Sequence, residues 1–261
     1  MEKNLKSPIP HLALSSALII IGLLTDSLSL VLLFALVPIF IVLKDSIANN
    51  DNPIKYALSL TLSLVIGQMA GFLITENSFD YLLFIYPIGI AITTSLYWLV
   101  KKNLNSNLGV MTLIIYWLAF EYIALLINPE LGNYFVFGSL EKLSILNIST
   151  ITGFLGYTLW GLASNLVLVF VLYEATSPYK VKLRVLSLIY AAILITTPLW
   201  LSLIWSIEGD NISRQLMIDN YSGLHIENTD YLQKGEWLGR TSTWIAVLLT
   251  IYSLVKKKIS K

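Results

Sequence analysis

A single carboxylate, Glu121, stands within the apolar run YWLAFEYIALLI at 116–127, and it is the side chain in this sequence best placed to do chemistry. A charged group at membrane depth costs about 2.5–3.5 kcal/mol on insertion scales, so it should face a protein interior or a water-filled cavity. Two readings follow. Glu121 is either a polar anchor near a lipid or substrate headgroup, or a structural hydrogen-bond acceptor for a neighbouring helix. The flanking sequence offers no partner cation.

A second constellation is Gly153, Tyr157, Gly161 and Asn165, spaced four apart in ITGFLGYTLWGLASNLVLVF. Residues four apart share one helical face. Small residues there let another helix approach closely, and an Asn can bond across the interface. Helix packing is the favoured reading of this stripe. Gly67 and Gly71, with Gln68 beside them, repeat the small-residue spacing in IGQMAG and are read the same way.

Other chemistry is poorly supplied. There is no cysteine, hence no disulfide, no thiolate nucleophile and no sulfur-ligated metal. The two histidines, His11 and His225, lie too far apart in sequence to suggest paired metal ligands. Asp219, Glu227, Asp230 and Glu236 read as a solvated face rather than a catalytic pair. Neither a phosphate-binding glycine loop nor a serine-nucleophile elbow occurs. Asn147-Ile-Ser and Asn211-Ile-Ser match a glycosylation acceptor only weakly. No catalytic residue, metal or cofactor is assigned on these grounds.

The elements that must position Glu121 and Asn165 are membrane helices. Of 261 residues, 56% are hydrophobic and 13% charged, where a soluble domain carries about a quarter charged residues. Eight apolar stretches approach the ~20 residues that cross a bilayer. They run at 8–24, 27–43, 55–75, 81–100, 107–127, 148–173, 183–206 and 239–255. Unbroken apolarity indicates helices, since barrel strands alternate and need only about ten residues. The first stretch has no small-residue cleavage site and is expected to remain as a helix. Pro198, in the seventh stretch, is read as the only kink. The expectation is one all-α polytopic membrane domain over 1–261.

Basic residues orient it. With both termini cytoplasmic, 13 of the 17 Lys and Arg residues fall inside, and Lys142, Arg214, Lys234 and Arg240 outside. Two external segments then remain. The 128–147 segment is too apolar for a solvated loop, since Tyr134, Phe135, Val136 and Phe137 are consecutive, and a re-entrant or interfacial path is expected. The 207–238 segment is polar, too short for a core of its own, and could turn back as a hairpin at 215–226.

The stretch from Tyr116 to Leu168, together with ENTDYLQKGEWLGRTSTWIAVLL at 227–249, resembles the membrane domain of bacterial apolipoprotein N-acyltransferase. Trp117, Glu121, Gly138, Gly153 and Asn165 sit at matching places, as do Thr229, Tyr231, Gly235, Glu236 and Trp237. The resemblance implies eight spans with inside tails in a bacterial inner membrane. It also implies a periplasmic nitrilase-like domain between the last two spans, with a Glu–Lys–Cys triad. Here only 207–238 fills that interval, and there is no cysteine. Ala124 replaces the family's Arg near the carboxylate, and its Pro-Trp is replaced around Asn133-Tyr134. The expected protein is therefore acyltransferase-like without the chemistry. It would bind phospholipid or a lipid-modified protein, or join an envelope complex as a membrane subunit, and would not bind nucleic acid. Glu121, Tyr134, Phe137, Asn165 and Trp237 are the lipid or partner candidates. Two alternatives stay open, an acyltransferase with replaced or partner-supplied residues and a small-molecule or lipid transporter.

Overall fold

The computed structural model describes residues 9–49, 53–75, 82–104, 111–143, 152–172, 185–208 and 229–259, and among these there are helices and no strand. The possible hairpin at 215–226 and the Asn147 and Asn211 sites lie outside them. Nine α-helices are described: α1 Ile9–Leu24, α2 Leu32–Ala35, α3 Val37–Asn49, α4 Pro53–Thr75, α5 Leu82–Leu104, α6 Met111–Ile127, α7 Leu155–Leu172, α8 Val185–Glu208 and α9 Thr229–Ile259. Three 3₁₀ segments, Asp26–Val31, Pro129–Tyr134 and Val136–Lys142, complete the described path.

Each of the eight apolar stretches contains helix. Five segments are long and apolar enough to cross a membrane, namely Asp26–Lys44, Ala57–Thr75, Leu82–Leu104, Leu155–Leu172 and Glu236–Lys258. Ile9–Leu24, Thr112–Ile127 and Leu188–Trp200 are shorter apolar helices. The molecule is an all-helical protein with the make-up of a membrane bundle.

Small residues set its closest contacts. On α4, Gly67 faces Ile19 and Gly71 faces Leu23 of α1, each too close for a Cβ to enter unless the facing side chain moves. Between α1 and α4, Ser16 Oγ donates to the Ser63 carbonyl at 3.2 Å. Short side chains at these positions let the backbones approach and leave hydroxyls to bond across.

The second apolar stretch is not one continuous helix. It passes from the Asp26–Val31 3₁₀ segment into α2, turns at Leu36 and restarts as α3. Pro38 explains the break, because it has no N–H to give the Phe34 carbonyl and its ring crowds that group. Pro87 lies inside α5 and Pro198 inside α8. The break thus falls at Pro38, whereas α8 runs on through Pro198, which corrects the expectation of a kink at Pro198 alone.

Two other boundaries shift. The sixth stretch becomes helical as α7 only at Leu155, so Gly153 precedes the helix with φ 62°, a left-handed conformation suited to glycine. The predicted external segment 207–238 is helical from Thr229 onward, as the start of α9.

Candidate functional site

Glu121 lies on α6 with no exposure to solvent, one turn beyond Trp117, which is also fully buried. The four-residue spacing puts both side chains on one face, and the indole Nε1 donates to Glu121 Oε1 at 2.9 Å. From α5, the Tyr86 hydroxyl donates to the same oxygen at 2.8 Å. The indole also lies 3.1 Å from the Tyr86 oxygen, closing a triangle of three polar groups. Thr158 of α7 interacts with the carboxylate without reaching hydrogen-bond geometry, and Glu121 Oε2 has no hydrogen-bond partner. The hydrogen-bond donors are thus neutral, and no cation faces the group among the described residues.

Aromatic rings enclose this triangle. Tyr86 stacks on Phe135 at 4.9 Å between centroids and 27° between planes, and Phe120 and Trp117 lie 6.1 and 6.4 Å from it. Phe135 in turn meets Phe154 at 5.8 Å. Phe120 fits because α5 carries Gly89 at its contact, where a Cβ would overlap the ring.

The segment after α6 forms the cover. Asn128 caps the first 3₁₀ turn by accepting from the Glu130 N–H at 3.0 Å, and Pro129 needs no donor there. Leu131, Phe135, Val136, Phe137 and Leu140 are all buried. Phe137 enters against Gly161 of α7, where a Cβ would overlap the ring. Gln68 Nε2 of α4 donates to the Tyr134 carbonyl, and Phe72 lies 5.6 Å from the Tyr134 ring. The segment thus lies against the bundle with α4, α6 and α7 all gripping it.

Asn165 does different work. Its Oδ1 accepts from the Leu36 N–H at 2.8 Å, and its Nδ2 donates to the Leu32 carbonyl at 2.9 Å and the Gly161 carbonyl at 2.8 Å. Leu32 and Leu36 would be paired to each other in an unbroken helix. The amide therefore bridges the gap at the α2–α3 break. Ser15 Oγ of α1 accepts from the buried Ile39 N–H, just past the break, at 3.3 Å.

Of the five lipid or partner candidates, Glu121, Phe137 and Asn165 are wholly buried in protein contacts. Tyr134 is half-buried, and Trp237 is exposed on α9. One turn around Trp237, Glu236 pairs with Arg240 and accepts from the Tyr122 hydroxyl at 3.4 Å, while Gly239 lets the Tyr122 ring against α9. Sequence reading missed Tyr86, which carried no signal beyond being a tyrosine in an apolar run. It also missed the role of Gln68, whose four-residue spacing from Phe72 would have suggested a shared contact. No group of three or more His, Asp or Glu able to hold a metal gathers among the described residues.

Comparison with known protein families, with curated proteins and with solved structures finds no match.

Proposed function

We propose that this chain is a non-catalytic membrane scaffold of the acyltransferase type. In this reading it spans a bacterial inner membrane eight times with both termini in the cytoplasm. It holds an acyl-bearing ligand, a phospholipid or a lipid-modified protein, at the end of the bundle covered by 129–142. The observation that carries the reading is the bonding of Glu121. Its one engaged oxygen is taken by Tyr86 and Trp117 beneath Phe135, so the carboxylate serves to seat the cover. The absence of cysteine removes the nucleophile on which the resembled family depends. The exposed Trp237 and half-buried Tyr134 supply the amphipathic rings that suit a membrane–water interface.

A diacyl phospholipid bearing a photoreactive group near its head tests this. In proteoliposomes of the full chain, crosslinks should concentrate on 129–142 and around Trp237. An even spread over all exposed apolar helix faces would remove the basis for a site there.

A further inference from the structure

Two buried oxygens of the Glu121 cluster are left over once its hydrogen bonds are assigned. Tyr86 and Trp117 both donate to Glu121 Oε1. Glu121 Oε2 on α6 and Thr158 Oγ1 on α7 have no hydrogen-bond partner, although the two side chains interact. Neither residue has any exposure to solvent. An ionised carboxylate here would leave one oxygen bare among neutral groups. A buried charge without a paired cation is costly enough that the group takes up a proton instead. A proton on Oε2 supplies the missing donor, since the acid hydroxyl can then donate to Thr158 Oγ1 and both oxygens gain a partner.

The neighbours of Glu121 are the groups that a change of charge there would meet. α5 faces it with the Tyr86 hydroxyl, α7 with Thr158 and α6 itself with Trp117. α9 carries Glu236 and Arg240, which pair with each other beside Tyr122. The cover sets the Phe135 ring and the Val136 backbone against Tyr86, and of its own carboxylates Glu130 is exposed and Glu141 half-buried. Among the described residues no cation reaches Glu121, and Tyr86 is the only other titratable group in the cluster. On the side of the cover, Phe135 stacked over Tyr86 is what keeps water from the acid.

We infer that Glu121 holds one exchangeable proton, on Oε2 against Thr158, while the 129–142 cover is closed, and gives it to entering water when the cover lifts. The closed cover then binds one proton more than the open one, so rising pH favours opening. This linkage rests on the reading of 129–142 as the cover of the site. It involves no ligand, so it can fail while the lipid crosslinks succeed, and the reverse.

The test is hydrogen–deuterium exchange of the full chain in detergent from about pH 5 to 7, above the range of an ordinary Glu carboxyl. The amides of Leu131, Phe135 and Gly138, bonded within the cover, are the probes. After correction for intrinsic exchange, their protection should fall about threefold to tenfold per pH unit, the upper figure being one proton released per opening. Glu121→Gln keeps an acceptor but has no proton to release, and should reduce the change to less than about twofold over the whole range. Glu130 and Glu141 remain in that variant, so any dependence due to them would survive in it. Equal slopes in parent and variant would overturn the linkage. Infrared spectra of the parent carrying isotope-labelled glutamate give a second reading that needs no Glu121 variant to fold. A carboxylic acid C=O band, which ionised carboxylates lack, should be present at about pH 6. Thr158→Val, which removes the acceptor and keeps the shape, should move that band to higher frequency. No acid band in the parent, or one that Thr158→Val leaves unmoved, would overturn the placing of a proton between the two residues.

Discussion

The behaviour of Glu121 is decided by two neutral donors and by the rings that exclude water around them. A buried acceptor that keeps its donors is worth little net, whereas one stripped of a donor costs about 1–3 kcal/mol. Tyr86→Phe removes one of the two donors and leaves the rings in place. It should therefore lower stability by about that amount, read as a fall in the midpoint of thermal unfolding in detergent. Glu121→Gln keeps an oxygen acceptor for Tyr86 and Trp117 and removes the charge, so its midpoint should stay within a few degrees of the parent. A collapse of Glu121→Gln with no effect of Tyr86→Phe would show that charge, not hydrogen bonding, holds the site. Half of this arrangement was legible in the sequence, since Glu121 in an apolar run and Trp117 one turn earlier are both visible there. Tyr86 was not, because which residue of another helix faces Glu121 depends on how α5 and α6 rotate against each other.

At the scale of elements, the 129–142 cover and the α2–α3 break are both fixed by single residues of α7. Gly161 admits Phe137, so Gly161→Ala should push a methyl into a ring that has no room to move, costing about 1–3 kcal/mol. Adding Phe137→Leu should recover part of that loss, and a double-mutant cycle measures the recovery. Strict additivity would mean that the two residues do not share the contact. Asn165→Leu leaves the Leu36 N–H and the Leu32 carbonyl without their partner, and should destabilise more than any single hydroxyl deletion in the α1–α4 interface, such as Ser16→Ala. Periodicity made the glycine–asparagine stripe visible, but it suggested helix against helix. The contacts are instead a 3₁₀ segment and a broken helix, because apolar composition does not distinguish a span from a tightly packed irregular segment. Pro38 was the available signal for the break. Gly153 belongs to the turn ahead of α7, where its positive φ matters more than its small size.

For the whole molecule, apolar run length made the all-helical class legible, and Lys256 and Asn103 join the C-terminal ends of α5 and α9. The absence of cysteine makes sidedness straightforward to measure. Single cysteines at Ser46 and Asn103 should be shielded from an impermeant thiol reagent in intact cells, and those at Ser78 and Ser222 labelled; the opposite pattern would invert the bundle. The central claim is that this scaffold binds acyl chains without transferring them. Its most direct test is to incubate the full chain with phospholipid in proteoliposomes and weigh it twice, natively and after denaturation. The account predicts phospholipid retained in the native measurement and the bare polypeptide mass after denaturation. An acyl-sized mass increase that survives denaturation, and vanishes when one Ser, Thr or carboxylate is replaced, would contradict it.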